Sequence, residues 1–431
     1  MSTSSLVRPS LGELERAADG DGERIERARS ALGRLVAAGF RPEQVARWFG
    51  VPEWTDARYV NAPADRVRRG LGGFIALLVA GETVEADALR LLDVKEWAAL
   101  VELGLVEEAA GRLRATVRLL PISGGSGVLV VGSDRGAGEE EVGAPDVSAL
   151  NVAGCLPRRR VGPTLDVGCG AGLLTLACAQ AGAQATGGDI DERALAFARL
   201  NARLNGIAAR FVISDLFDGA PGRFALITFN APLLRAPLAV SDETAAPRYL
   251  SSPRGEALAL DFLAQLDDHL LPDGEALLHA QLTPAVEAAL TSRAARARVT
   301  SILFAAAPDG TPHALTAIEP GAGRVRVRVV LGPLCPHLRR EILDAHRRPR
   351  APLDERACPL AAPWLELRES RQLGGPSPGW RQVSFGGVPL DEAERRLLER
   401  LDGTPLSALA LDDEDRARLE RLLKLGLAIL R

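Results

Sequence analysis

Apolar positions recur with helical spacing through the first hundred residues. Ile25–Ala38 is amphipathic, and Arg41–Phe49 predicts a shorter helix closed by Gly50. Arg66–Val79 predicts a third, weakened by Gly70, Gly72 and Gly73. Helices are expected around Glu85–Leu92 and Val94–Leu103. Strands follow over Arg112–Leu120 and Val128–Val131, about the turn Ser123-Gly-Gly-Ser126. Two helices and a hairpin in that order outline a winged helix. Such a unit recognises a macromolecule or serves as a packing or dimerisation module. With only Arg112, Arg114 and Arg118 as charge on one strand face, the packing role is the preferred reading.

The period changes after Ser133–Pro145, a boundary rich in Gly, Glu and Asp. From Val147 to Thr300 short apolar strands alternate with helices, the βαβ rhythm of an α/β fold with a parallel, doubly wound sheet. Leu195–Leu204 is a crossover helix, and Phe211–Ile213 and Phe224–Phe229 are strands. Leu258–Leu271 is a helix closed by Pro272-Asp-Gly274, Ala276–Leu282 is a strand, and Val325–Leu331 extends the sheet or covers its edge. Pro333–Gln382 has no sustained period. Val383–Arg431 is largely helical, and its Asp413–Leu425 followed by Gly426-Leu-Ala-Ile-Leu echoes Asp93–Val106. The expected division is a helical, winged-helix-like N-terminal domain over 1–132, an α/β domain over 147–332, an irregular linker over 333–382, and a small helical, winged-helix-like module over 383–431.

Composition narrows the picture only a little. With 431 residues, 47% hydrophobic and 25% charged, the chain is long enough for two to four folded domains. A net charge of -4 gives no general pull toward nucleic acid, although a local basic patch remains open; Arg158-Arg-Arg160 and the alternating Arg324, Arg326 and Arg328 are read as solvated faces. The five cysteines include no CxxC pair, so a reducing, cytoplasmic setting is expected. Met1–Ser10 lacks a secretory pattern, and no uninterrupted apolar run reaches the roughly 18 residues of a membrane span, so no membrane partner is expected. The histidines are scattered without clustered carboxylates, so no metal site is expected.

The chemistry concentrates in four stations. The first is Asp166-Val-Gly168-Cys-Gly170-Ala-Gly172, where an apolar strand runs into three alternate glycines and then a helix. Such a loop turns sharply and lets a ligand approach the backbone, and the helix N-terminus behind it favours an anionic group. The second, Gly188-Asp189-Ile190-Asp191, lies one βαβ unit further on, where a carboxylate meets a ribose. The third is Ser214-Asp215-Leu216-Phe217, and the fourth Asn230-Ala231-Pro232-Leu233. The glycine spacing is not G-x-G-x-x-G and the fourth strand leads to Asn-x-Pro, which points away from NAD and toward S-adenosylmethionine. In that reading Asp189 accepts from both ribose hydroxyls, with Asp191 the better candidate to cap the next helix. Asp215 accepts from the adenine amine between the apolar walls Ile190 and Phe217. Asp166 orients an amino group, directly or through water, or is purely structural.

Leu165–Gly172, Gly188–Asp191, Ala194–Asn205, Ser214–Phe217 and Phe224–Pro232 together resemble a class I S-adenosylmethionine-dependent methyltransferase, a Rossmann-like sheet. They are most similar to the small-methyltransferase branch, which includes protein-glutamine-N5 and ribosomal RNA guanine-N2 methyltransferases. The resemblance spans about Val152 to Leu282 and makes 147–332 the expected catalytic domain. It implies that the Asn230 side-chain oxygen and the Ala231 carbonyl, followed by Pro232, hold the hydrogens of a planar amino nitrogen. The family pattern is Asn-Pro-Pro-Tyr/Phe, from which Ala231 and Leu233 depart; losing the aromatic removes stacking worth about 1–3 kcal/mol on a nucleobase. The acceptor is expected to be a protein glutamine, RNA or a small natural product. Arg235, Tyr249, Arg254, Glu256 and His279 are weaker candidates for its side of the site, with Pro237–Ser252 a natural lid. The alternative is a catalytically inactive, cofactor-binding regulatory protein; a nicotinamide oxidoreductase ranks below both.

Overall fold

The protein is described from a computed structural model over residues 8–51, 62–124, 127–135, 141–157, 162–232, 255–306, 312–328, 356–361, 367–369, 381–383, 388–424 and 428–430. It divides into two compact units, Met1–Leu271 and Pro272–Arg431.

The first unit opens with helices α1 (Leu11–Ala18), α2 (Gly22–Ala37) and α3 (Pro42–Phe49), the last ended by Gly50 in the left-handed region as its sequence predicts. Helix α4 (Gly70–Phe74) runs into a π-helical turn over Ile75–Ala80. Its glycines answer a steric need, since a Cβ on Gly72 would lie 2.2 Å from the Val67 carbonyl oxygen. Strand β1 (Val84–Glu85), helix α5 (Val94–Glu102) and strands β2 (Val106–Ala109) and β3 (Arg112–Ala115) follow, paired in the order β1-β3-β2.

Two expectations fail here. The helix at Glu85–Leu92 is only a 3-10 turn, Ala86–Ala88, because Val84 pairs with Leu113 and Asp93 already caps α5; too few residues lie between. The single strand over Arg112–Leu120 breaks at Thr116, whose N–H donates to the Leu105 carbonyl and whose hydroxyl donates to that of Gly104. The chain then leaves that sheet for a separate hairpin, β4 (Arg118–Gly124) and β5 (Gly127–Ser133). The winged-helix outline drawn from the sequence therefore combined pieces of two different sheets.

Helix α6 (Val147–Cys155) leads into the α/β part: β6 (Pro163–Val167), α7 (Leu173–Gln180), β7 (Gln184–Asp189), α8 (Glu192–Asn205), β8 (Arg210–Ile213), β9 (Phe224–Asn230) and α9 (Gly255–His269). The four strands are parallel in the order β9-β6-β7-β8, the Rossmann-like arrangement expected. The chain steps from β6 to β7 and β8, then returns to β9 on the other flank. That reversal creates a crevice at the carboxyl ends of the strands, where open α/β sheets bind ligands. Helix α8 is buried nearly all round, with Leu195, Ala196, Phe197, Ala198 and Leu200 within the same core as α1, α2 and β5. A helix covered on every side belongs to the interior rather than the surface.

The second unit takes in most of β10 (Leu270–Gln281), with α10 (Pro284–Arg293), β11 (Ala297–Ala306), β12 (Pro312–Pro320) and β13 (Gly323–Arg328). Strand β12 lies antiparallel between β10 and β11, and β13 pairs parallel with β11. Pro272-Asp-Gly274 sits inside β10 and is not a stop after a helix ending at Leu271. Within the expected linker, Pro359–Ala361 pairs with Ala428–Leu430 and Leu367–Glu369 with Arg381–Val383. Helices Glu392–Arg400 and Asp413–Lys424 bury Leu397, Leu398, Leu419 and Leu422 in a small core. Among the described residues no helix is long and apolar enough to cross a membrane.

Candidate active site

Strand β6 is buried along Thr164–Val167, so it sits centrally with side chains covered on both faces. At its end Gly168, Gly170 and Gly172 adopt φ of 64°, 51° and 89°. Each glycine meets a different need. A Cβ on Gly172 would press within 3.0 Å of the Ala198 Cβ on α8, whereas one on Gly170 would meet nothing within 4 Å and project into open space. Gly172 is thus set by packing, and Gly170 is where backbone faces outward from the loop.

Asp166 lies behind this loop, 3% exposed. Its Oδ2 accepts from the Thr175 N–H at 3.1 Å and the Thr175 hydroxyl at 2.9 Å, and its Oδ1 from the Thr228 hydroxyl at 2.8 Å. The carboxyl therefore braces the start of α7 against β9. Burial raises its pKa to about 7, against which the Thr228 and Thr175 hydrogen bonds pull. The neighbouring Cys169 is also buried, which pushes its thiol well above the ordinary range and leaves no thiolate nucleophile in the loop.

Asp189 ends β7 half-buried. Its Oδ2 accepts the Gly170 N–H at 2.8 Å and its Oδ1 the Asp191 N–H at 3.0 Å. The glycine loop and the acidic station are thus bonded to each other. Burial raises the Asp189 pKa, opposed by those two N–H donors. Asp191 caps α8 by accepting the Arg193 N–H, as its position in the sequence suggests. Two glycines make this approach feasible: a Cβ on Gly187 would stand 2.7 Å from the Thr175 Oγ1, and one on Gly188 3.0 Å from the Ser214 Cβ.

Beyond β8 the Ser214 N–H donates to the Asp189 carbonyl at 2.9 Å, and its hydroxyl donates to the Leu216 carbonyl while accepting the Gly219 N–H. Leu216 is held at φ 48°, a strained left-handed conformation for a branched side chain. Asp215 is exposed at this turn. Ile190, 67% exposed, stands beside the station, and so does Ile213 at 50%, paired in register with Asp189. Ile213 is an exposed apolar side chain beside Asp189 that the sequence reading did not single out; an isoleucine ending a short strand carries no distinguishing signal. Phe217, expected as the other wall, is placed elsewhere. It is 1% exposed, its ring stacked 4.3 Å from His269 and 5.5 Å from Phe262, so it supports the turn from inside the core.

Asn230 ends β9, with Val167 of β6 opposite its neighbour Phe229. Its Nδ2 donates to the Ser148 Oγ at 2.9 Å, and the Ser148 hydroxyl donates to Asp146 Oδ1. The Asp146-Val-Ser148-Ala149 stretch is the N-cap of α6. Nothing local in the sequence ties it to Asn230, 82 residues away. Ala231 is buried at 3% and Pro232 half-buried. Leu233, Arg235, Tyr249, Arg254, the Pro237–Ser252 segment and the Arg158–Arg160 run lie outside the described residues. His279 belongs to the second unit, 2% exposed within β10. Among the described residues no group of three His, Cys, Asp or Glu is arranged to hold a metal ion.

All four stations therefore lie at the carboxyl ends of parallel strands about the β6/β9 reversal. Residues 142–252 match the family described as the methyltransferase small domain. This region is a methyltransferase small domain. Its residues fit S-adenosylmethionine, the cofactor that the resemblance implies: outward backbone at Gly170, a half-buried carboxylate at Asp189, an exposed one at Asp215 and two exposed isoleucines between them.

Over 71 residues the chain is 44% identical to a putative protein N5-glutamine methyltransferase of Methanocaldococcus jannaschii, covering 16% of this chain and 36% of that protein. Over 70 residues it is 44% identical to a ribosomal protein L11 methyltransferase of Geobacter metallireducens, covering 16% and 23%. The chain thus spans about a quarter to a third of the length of these curated relatives. Among solved structures, a T. thermophilus 16S rRNA N2 G1207 methyltransferase in complex with AdoMet and guanosine aligns with TM-score 0.35 and 17% identity, covering 56% of this chain and 64% of that one.

Proposed function

We propose that the chain is an S-adenosylmethionine-dependent methyltransferase whose acceptor is a planar nitrogen presented at Asn230. The observation that carries this is the bonded frame Gly170–Asp189 on one side of the β6/β9 reversal and the fixed amide Asp146–Ser148–Asn230 on the other. When bound, the cofactor supplies an electrophilic methyl group on a cationic sulfonium. The residues that would hold it are the Gly168–Gly172 backbone, Asp189 toward a ribose diol, and Asp215 with Ile190 and Ile213 toward a base. Asp166, already engaged with Thr175 and Thr228, acts as a brace for that frame.

On the acceptor side, anchoring Nδ2 on Ser148 sets the Asn230 amide so that Oδ1 is its accepting end. Together with the Ala231 carbonyl it can orient both hydrogens of an –NH2 group and leave the nitrogen lone pair directed at the donor. Positioning of this kind supplies much of the rate in a displacement that needs no proton removed beforehand. The names of the first two relatives point to a protein acceptor, whereas ubiquinone biosynthesis O-methyltransferases among the other relatives point to a small molecule; the absence of an aromatic at Leu233 disfavours a stacked base. An RNA or small-molecule nitrogen remains within the same chemistry.

The test has two stages. Isothermal titration with S-adenosylhomocysteine comes first; no binding by the wild-type chain sinks the reading. Tritium transfer from labelled cofactor into fractionated lysate follows, with wild type and Asn230→Ala in parallel. Asn230-dependent label in protein, RNA or small molecules supports an enzyme and names the acceptor class. Binding without any transfer marks a regulatory protein that kept only the cofactor fold.

A further inference from the structure

We propose that Asn201 is a positioning residue for the cofactor loop, and that through it docking of the β4–β5 hairpin and occupation of the loop are coupled. The inference rests on the methyl-donor reading of Gly168–Gly172. Asn201 lies on α8 with 0% exposure. Its Nδ2 donates to the Ala171 carbonyl at 2.9 Å and to the Gly132 carbonyl at 3.0 Å, while its Oδ1 accepts the Gly132 N–H at 2.7 Å. One buried amide thus spends both donors and its acceptor joining the centre of the glycine loop to strand β5.

Several features indicate that this junction is built. Gly132 has no side chain where one would obstruct it, since a Cβ there would stand 3.0 Å from the Asn201 Oδ1. Four residues along the same helix, Asn205 makes the matching exchange with β5: its Oδ1 accepts the Val130 N–H at 2.9 Å and its Nδ2 donates to the Val130 carbonyl at 2.8 Å. Asn205 has no bond to the loop. The hairpin and its neighbouring segment are also tied to the first turn of α8, where buried Arg193 pairs with Asp134 just past β5 and donates to the Pro9 carbonyl at 2.9 Å.

The Ala171 carbonyl sits between Gly170, whose N–H faces Asp189, and Gly172, which starts α7. Fixing its direction fixes the peptide planes on either side, the planes a ligand would contact. Without Asn201 the carbonyl is left buried without that donor and the loop must be ordered at the moment of binding, which weakens affinity. By linkage the effect runs both ways, so ligand at the loop also tightens the hairpin.

The two asparagines allow a matched experiment. Asn201→Ser and Asn205→Ser each remove two side-chain bonds to β5, but only the first releases Ala171. For S-adenosylhomocysteine measured by titration, Asn201→Ser is expected to weaken binding about tenfold and Asn205→Ser by less than about twofold. In amide hydrogen exchange, adding the ligand should slow the Gly132 N–H in wild type and in Asn205→Ser, and not in Asn201→Ser. A wild type that fails to bind the ligand overturns the donor reading and this inference with it. A wild type that binds, beside a folded Asn201→Ser that binds equally well, overturns only the inference. Equal weakening in both variants, or an unchanged Gly132 N–H in the liganded wild type, overturns it too. Should Asn201→Ser not fold, the exchange comparison of wild type and Asn205→Ser still decides.

Discussion

The Gly170 N–H donates to Asp189 Oδ2 at 2.8 Å, so the loop that would cradle the donor and the carboxylate that would grip its ribose are one bonded unit. Removing either partner disturbs both halves of the cofactor site. Asp189→Ala deprives the Gly170 and Asp191 N–H groups of a charged acceptor as well as deleting a ligand contact. Hydrogen bonds to charged groups are worth about 1.5–3 kcal/mol, so S-adenosylhomocysteine affinity should fall at least about tenfold, read by titration calorimetry.

The glycines of the loop should separate by phenotype. Gly170→Ala introduces a methyl group into open space at φ 51°, so its stability cost is the left-handed strain, about 1–2 kcal/mol, while ligand affinity drops sharply. Gly172→Ala adds a collision with Ala198 to a similar strain, and its thermal midpoint should fall further than that of Gly170→Ala. Melting curves with and without S-adenosylhomocysteine distinguish the two.

Asp166 gives the protein a dependence on pH. Its folded pKa, about 7, lies above the ordinary 3.8, so the native state holds the proton more tightly than the unfolded chain. Stability from this group is therefore full below about pH 4 and is lost as pH rises toward 7, by roughly 2–4 kcal/mol. Asp166→Asn can keep the bonds to Thr175 and offer an N–H to the Thr228 hydroxyl. Urea unfolding of wild type and variant between pH 4.5 and 7.5 should show a smaller decline in the variant.

Ser148→Ala should act on turnover and spare the donor site. It removes the acceptor of the Asn230 Nδ2 hydrogen bond and so loosens the orientation of the amide. Misplacement of a positioning group costs up to about 10²-fold in rate. Transfer of label in the Asn230-dependent fraction should drop while titration with S-adenosylhomocysteine stays as in wild type; an equal loss of both would assign Ser148 to the fold alone.

Arg193 and Asp134 form a buried pair, with side chains 8% and 1% exposed. Asp134→Ala leaves the guanidinium in the interior without its counter-charge, a loss of about 3–5 kcal/mol. The thermal midpoint should drop by roughly 6–20 °C on the scale of 2–4 °C per kcal/mol. Scanning calorimetry of the variant measures it.

Much of this architecture was legible because local signals and tertiary demands agreed. The buried run of β6, the glycines after it, the Asp191 cap and the crossover α8 each have a residue-level signature, and they stand where the sequence places them. The misreadings arose where a distant partner decided the outcome. Glu85–Leu92 has helical spacing, but pairing of Val84 with Leu113 takes its first turn. Phe217 has the position of a slot wall, yet His269 and Phe262 of α9 draw its ring inward. Ser148 and Asn201 were unreadable as site residues for the same reason: their partners lie 82 and 30 residues away, and periodicity carries no record of such pairs.

Among the described residues hairpin β4–β5 has no third strand, so without a cover the outer rim of β5 would present the N–H and C=O of Val130 and Gly132 to another chain. Asn205 and Asn201 occupy those groups with side-chain amides. An open rim of this kind is a template for intermolecular strand addition and aggregation. The asparagine pair on α8 thus also acts as a gatekeeper, closing the rim of β5 to strand addition by a neighbouring copy.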